Sequence, residues 1–349
     1  MLQEVIGGGM KRCTTCGSEF ADDAVYCQWD GAPLAQESAE VDPYIGQVLK
    51  DQIEILAPLG QGGMGTVYRA VQRGFDRTIA VKILHADLAR NPEVLARFHR
   101  EAKIASRLEH PNIVHVYQFG DLPDGNLFLA MEFLDGRSLL EVLRADGSIE
   151  IGRALHIAQQ ICAALGEAHE AGIIHRDLKP ENIMLVRRGS DPDFVKILDF
   201  GIAKFVTSEG QGDVHTQQGL VFGTARYISP EGASGDPVDA RSDVYSLGVV
   251  LYQMLSGEVP FHSENPISLL LMHINDKPPP LRGKARAGHV PPAVEEVVMR
   301  ALTKRPADRY AGHGADLQRH GHERGSVGRG ERERHLAAPG GTHADRHGG

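Results

Sequence analysis

His175-Arg176-Asp177-Leu178-Lys179-Pro180-Glu181-Asn182, followed after a strand-like stretch by Asp199-Phe200-Gly201, is the part of this 349-residue sequence that decides its fold. Asp177 offers a carboxylate able to orient a hydroxyl and accept its proton late in a transfer. Lys179, two residues on, adds a cation for a transferring phosphoryl group. Asn182 and Asp199 supply hard oxygen ligands of the kind Mg²⁺ takes while it keeps several waters and bridges substrate phosphates. A lone Asn or Asp is more often a turn residue, but that reading is weak for this pair in this order. The set is what phosphoryl transfer from a nucleotide requires, since that chemistry depends on positioning and charge stabilisation. His175 and Phe200 read as packing and loop architecture.

Working upstream, Gly60-Gln61-Gly62-Gly63-Met64-Gly65-Thr66-Val67 fits G-x-G-x-x-G-x-V. Glycine lets a backbone approach phosphate oxygens without a side-chain clash. Alone the pattern is weak, because dinucleotide-binding turns share it. Here it lies between two strand-like runs and opens no helix, and no acidic residue follows at ribose distance. Ala80-Val81-Lys82 then places an ammonium on an otherwise apolar strand, where it can neutralise α- and β-phosphate charge. Solvated surface charge is the usual fate of lysine, and that apolar setting argues against it here.

These four signals, in this order, resemble a eukaryotic-type (Hanks-type) Ser/Thr protein kinase, most closely the bacterial kind, over roughly residues 46–310. The resemblance implies an α+β, bilobal protein-kinase-like fold, with a β-rich small lobe over about 46–131 and a helical large lobe over about 135–312. It implies ATP and Mg²⁺ as cofactors, proteins as substrates, and transfer of the γ-phosphate to their Ser/Thr hydroxyls in bacterial signal transduction. By the same resemblance Asp177, Lys179, Lys82 and Glu101 are catalytic, with Glu101 as the partner of Lys82. Gly60, Gln61, Gly62, Gly63, Met64, Gly65, Val67, Ala80, Lys82, Met131, Glu132, Leu134 and Met184 surround the nucleotide. Met131 looks like the gatekeeper, and Glu132 to Leu134 the hinge that meets the adenine edge. Lys82, Asp177, Asn182 and Asp199, contributed by both lobes, are expected to converge on the triphosphate.

Asp199 to Glu231 resembles an activation segment ending in Ser229-Pro230-Glu231. A phosphate there would find Arg176 as a cationic partner and could order the loop. Thr216 is the expected main autophosphorylation site, with Thr207 and Ser208 as lesser ones, and a kinase-domain homodimer would allow transfer in trans. Thr224 matches the threonine that touches the catalytic Asp and Lys. Asp243 is expected to anchor the catalytic-loop backbone, and Glu231 with Arg309 to form a buried ion pair. Two rivals are a pseudokinase scaffold, which should lack one of the four polar residues, and a small-molecule phosphotransferase. Gly223-Thr224-Ala225 and Ser229-Pro230-Glu231 weigh against the second.

The remaining composition is ordinary: 42% apolar and 24% charged residues with a net charge of −9, typical of a globular protein. The acidic balance excludes a nucleic-acid surface built on clustered basic charge. No apolar run approaches the roughly 18–20 residues that span a bilayer, and no signal peptide is evident, so the expected location is cytoplasmic with no membrane span. Val244 to Leu255 reads as a buried helix. Pro92 to Leu108 carries apolar residues at helical spacing behind an N-terminal proline. Ser138 and Glu141 form a capping box, and a long helix is expected from Ile151 to Ala171, ending at Gly172. Cys162 sits in that helix as an inert core residue.

Cys13-x-x-Cys16, then Cys27-Gln28-Trp29-Asp30, resembles a zinc ribbon with a carboxylate in the fourth position. Cys13, Cys16, Cys27 and Asp30 are its candidate Zn²⁺ ligands, because so small a module has almost no core without a staple. The alternative is a ribbon-like fold that has lost its metal. The expected domains are a zinc-ribbon-like module at 10–34, a linker at 35–45, the kinase domain at 46–312 and a disordered tail at 313–349. Met10 is a candidate start. The Gly-, His- and Arg-rich tail cannot bury enough apolar area to offset the entropy of ordering, and it reads as an out-of-frame or truncated end.

Overall fold

The computed structural model describes residues 10–13, 18–21, 24, 34, 42–62, 65–84, 92–200, 225–284 and 290–311. The chain divides into two compact units. One comprises Met1–Glu109, Val114–Asp135 and Asp199–Ala225; the other comprises His110–Ile113, Gly136–Leu198 and Arg226–Gly349. No helix among the described residues is long and apolar enough to cross a membrane.

The first unit opens with a small hairpin of β1 (Met10–Arg12) and β2 (Glu19–Ala21). Its main body is an antiparallel sheet in the order β3-β4-β5-β6-β8-β7. The strands are β3 (Val48–Leu49), β4 (Ile53–Gly62), β5 (Gly65–Gln72), β6 (Arg77–Leu84), β7 (Val116–Asp121) and β8 (Leu127–Glu132). Side chains alternate across a strand, so register sorts them by face. Tyr68 and Ala70 stand opposite Val81 and Ile79, and Val81 and Ile83 stand opposite Ala130 and Phe128. These residues, with Ile53 and Ile55, form one buried cluster on which Tyr44 and Tyr117 pack. Helix α1 (Pro92–Ala105) follows β6. It starts on proline, as expected, and buries Phe98, Ala102 and Ala105 along one stripe. Phe98 meets Phe119 of β7 edge to face at 6.4 Å between centroids.

The second unit is mainly helical. It contains β9 (Gly136–Ser138), α2 (Leu139–Asp146), α3 (Ile151–Glu170), β10 (Ile183–Arg188), β11 (Asp191–Ile197), α4 (Pro230–Ser234), α5 (Ala240–Ser256), α6 (Pro266–Asn275) and α7 (Pro292–Ala301). The anticipated capping box is present at the start of α2: Ser138 accepts from the Glu141 amide, and the Glu141 carboxylate accepts from the Ser138 amide. Helix α3 stops one residue short of expectation, at Glu170, and Gly172 takes φ 75° just beyond it. Its buried stripe is Ala154, Ile157, Ala158, Ile161, Cys162, Ala164, Leu165 and Ala168. Each large aliphatic there contributes about 1.5–3 kcal/mol by burial. Cys162 lies within this stripe, and burial pushes its thiol up to about 12, consistent with an inert core residue.

Helix α5 is buried from Ser242 to Leu251 without interruption. Gly248 makes that possible, because a Cβ there would lie 2.9 Å from the Ala301 Cβ and 3.2 Å from Leu302 Cδ2. The short sheet β11-β10-β9 is tied to α3 by polar contacts. Arg153 donates to both carboxylate oxygens of Asp193, and Gln160 bonds the Val195 amide and the Asp193 carbonyl.

Candidate active site

In the first unit the face of the sheet opposite the buried cluster carries the residues assigned to the nucleotide. Val67 stands opposite Lys82, Lys82 opposite Leu129, and Ala80 opposite Met131. Period-two geometry therefore puts Val67, Ala80, Lys82 and Met131 together on one face. The glycines divide by role. A Cβ on Gly60 would meet open space, whereas one on Gly65, at φ 157°, would lie 2.0 Å from the Ile83 carbonyl oxygen. Gly65 is thus required by close packing against β6, a reason the phosphate argument did not contain. Gln61 is exposed, and Gly62 pairs with Gly65 across the hairpin. Gly63 and Met64, between them, lie outside the described residues.

Lys82 Nζ lies 2.6 Å from Asp199 Oδ2, with both side chains mostly buried. Two of the expected polar residues, far apart in sequence, thus meet within one unit. Asp199 adopts φ 54°, a left-handed conformation uncommon outside Gly, Asn and Asp. The backbone of Glu101 lies in α1, but its side chain lies outside the described residues, so its pairing with Lys82 remains an expectation. At the hinge, the Glu132 amide donates to the His115 carbonyl, and its carboxylate accepts from the His115 amide at 2.8 Å. That commits the Glu132 amide within the sheet. Leu134 is half-buried two residues on. Leu59, just before the glycines, is 49% exposed on β4.

The second unit holds the catalytic loop. Asp243, near the start of α5, is fully buried and accepts from the amides of His175 at 2.8 Å and Arg176 at 2.9 Å. This is the anchoring expected of it. His169, from the end of α3, adds a third contact, with Nε2 at 2.8 Å from Asp243 Oδ2; no sequence signal had pointed to it. The three bonds hold a turn in which Arg176 takes φ 65°. Asp177 follows. Its amide donates to His175 Nδ1 at 3.3 Å, and His175 Nε2 lies 2.9 Å from the Leu198 carbonyl. Those contacts suit a ring with its lone pair on Nδ1 and its proton on Nε2.

Asp177, Lys179 and Asn182 converge. Lys179 Nζ is 2.9 Å from Asp177 Oδ2. Asn182 Nδ2 donates to the Asp177 carbonyl at 2.9 Å and to its carboxylate at 3.3 Å. The amide nitrogen of Asn182 is therefore turned to Asp177, leaving its oxygen as the hard donor for a cation. Met184, two residues along β10, is half-buried. Glu181 was not singled out; burial pushes its carboxyl above the usual range, and its Oε2 has no hydrogen-bond partner among the described residues.

No group of three or more His, Cys, Asp or Glu suited to a metal occurs among the described residues. Cys13 is buried with Leu34 beside Phe20 and Ala24, and its amide donates to the Ser18 carbonyl. Cys16, Cys27 and Asp30 lie outside the described residues, as do Thr207, Ser208, Thr216 and Thr224. Downstream, Ser229 caps α4 and Glu231 forms the expected buried pair with Arg309.

A family model described as "Protein kinase domain" matches residues 53–318. The chain is 44% identical over 272 residues to serine/threonine-protein kinase pkn3 of Myxococcus xanthus, covering 78% of this chain and 50% of that protein. It is 45% identical over 268 residues to PknB of Mycolicibacterium smegmatis, covering 76% of this chain and 41% of that one. It therefore spans about half the length, or less, of these curated relatives. The crystal structure of the Mycobacterium tuberculosis PknI kinase domain is similar, with a TM-score of 0.62, 27% identity, and coverage of 80% of this chain and 98% of that one. On the match across most of its length, the chain belongs to the protein kinase domain family.

Proposed function

We propose that this chain is a serine/threonine protein kinase that transfers the γ-phosphoryl group of Mg-ATP to Ser or Thr hydroxyls of proteins. The observation that carries the reading is the cluster of Asp177, Lys179 and Asn182 on a turn held by Asp243, in a chain of this family. The substrate hydroxyl passes its proton to an Asp177 carboxylate oxygen as its own oxygen bonds phosphorus. The bond from phosphorus to the bridging oxygen breaks, ADP leaves with that electron pair, and the proton is released to solvent. Lys179 balances charge on the moving phosphoryl group, and Lys82 balances charge on the remaining phosphates. Asn182 and Asp199 would hold Mg²⁺ through their side-chain oxygens, and the cation would supply charge that offsets that of the phosphates. Wild type should label a generic protein substrate from radiolabelled ATP. Asp177→Asn should lower kcat by roughly 10²–10⁴-fold, and full activity in that variant would reject the assignment.

Thr216 is the favoured autophosphorylation site, with Thr207 and Ser208 secondary, reached in trans by a second copy of the domain. The support is the segment's place between Asp199 and Glu231 and the cationic Arg176 beside Asp177 in sequence. For the N-terminal hairpin, Zn²⁺ held by Cys13, Cys16, Cys27 and Asp30 remains our reading. It is supported by the burial of Cys13 at the strand end and by how little else could stabilise so small a module.

A further inference from the structure

The face of the sheet opposite Lys82 is crossed by the segment that enters it from the N-terminal hairpin. Gly46 and Gln47 hydrogen-bond both backbone groups of Ile55 on β4. Two residues upstream, Tyr44 packs on the buried cluster. Its hydroxyl donates to Asp124 and receives from Asn126, both in the β7–β8 turn at the other side of the sheet. Asp42 is held at a middle point. One carboxylate oxygen accepts from the Tyr44 amide at 2.9 Å, the other from the Tyr68 hydroxyl at 2.8 Å. The Tyr44 and Tyr68 rings meet edge to face at 6.0 Å. Residues 42–47 thus form a strap pinned at β4, β5 and the β7–β8 turn.

Tyr68 is the pin that matters for chemistry. It lies on β5 next to Val67, three residues after Gly65. The β4–β5 ladder is irregular on both sides of it, with register shifts between Ile55 and Ala57 and between Pro58 and Gly60. The residue opposite Tyr68 is Pro58, which has no amide to donate. At Tyr68 the outer strand thus lacks an amide donor, and the Tyr68 side chain is gripped from the face opposite Lys82. A bond to an ionised acceptor is stronger than a neutral one, which makes Asp42 an effective anchor.

We propose that Asp42, acting through Tyr68, is a positioning residue that holds β5 and so sets nucleotide affinity. This rests on the proposed kinase reading for its catalytic readout only. The full chain is compared as wild type, Tyr68→Phe, Asp42→Ala and Asp42→Asn, the last keeping an acceptor oxygen. Tyr68→Phe and Asp42→Ala should raise KM for ATP about three- to tenfold with kcat within twofold. The double variant should be no worse than either single one, as for residues acting through one bond, and Asp42→Asn should recover part of the loss. Hydrogen exchange of the amides at 60–68, without nucleotide, should quicken in the first two variants. Unchanged exchange there overturns the proposal whether or not the protein turns over ATP. So does an unchanged KM in an active wild-type background. An inactive wild type with quickened exchange in the variants would reject the kinase reading and leave the anchor standing. Asp42 is only half-buried, so its variants serve if Tyr68→Phe fails to fold.

Discussion

Arg309→Ala should unfold the helical unit far more readily than it slows any chemistry. The Arg309 side chain is fully buried, and Glu231 beside it is 8% exposed. Nη1 and Nη2 each lie 2.7 Å from a different Glu231 oxygen. Nε donates to the Thr303 carbonyl, Nη1 also to the Arg241 carbonyl, and Nη2 also to the Lys304 carbonyl. A guanidinium has five N–H donors, and all five are used. Truncation leaves a buried carboxylate supported only by the Ser242 hydroxyl at 2.6 Å and a backbone amide, and it leaves three carbonyls short of a donor. Breaking a buried pair from one side costs about 3–5 kcal/mol, a large share of a typical stability of about 5–15 kcal/mol. At about 2–4 °C per kcal/mol for a unit of this size, Tm should fall by roughly 6–20 °C. Urea unfolding followed by circular dichroism, beside activity per folded molecule, reads both quantities. Replacing both partners, as in Glu231→Leu with Arg309→Met, should recover much of the loss, since a well-packed apolar pair can substitute for a buried ionic one. Burial alone would raise the Glu231 carboxyl, but the Arg309 and Ser242 bonds outweigh it and hold the group below its usual range. The pair's contribution is therefore complete above pH ~4.5 and lost as pH falls through the depressed folded value. A loss under about 1 kcal/mol, the size of an exposed pair, would refute the reasoning.

Three further outcomes are expected. His273 is buried against Tyr245, whose hydroxyl bonds Nδ1, and Lys304, which donates to its carbonyl; burial first, then the Lys304 charge, lowers it to about 4. Its contribution to stability should be constant above pH ~6.5 and decline from there towards pH 4, and acid titration of His273→Gln should show a shallower slope across that window than wild type. Gly248→Ala should destabilise by about 1–3 kcal/mol, as overpacked cores do, measured by urea unfolding; an unchanged midpoint would mean that α5 and α7 can separate freely. Asp243→Asn should lower kcat at least tenfold with KM for ATP little changed, because it loosens the turn that presents Asp177, and a change confined to KM would contradict that role.

Local features were legible because their determinants are neighbours in sequence. The Ser138–Glu141 box, the stop of α3 just before Gly172 and the continuous burial of α5 are each specified within a few residues. Asp243 and the Glu231–Arg309 pair were reached only through family resemblance, since nothing in periodicity connects residues so far apart. What remained hidden were contacts made by side chains that look ordinary in a string. Asp42 falls within the linker expected at 35–45, and nothing in the string marks His169. The glycine loop was read as shaped for phosphate alone, whereas Gly65 is also fixed by the carbonyl of Ile83 across the sheet.

Arg176 and Asp199 both hold left-handed backbone that most side chains disfavour by about 1–2 kcal/mol. Glycine would relax either position. A library selected only for heat resistance should therefore drift towards glycine at these two places, while one selected for turnover should resist the change. Divergence between the two selections would mark where the chain keeps a side chain for its reactivity at the expense of its architecture.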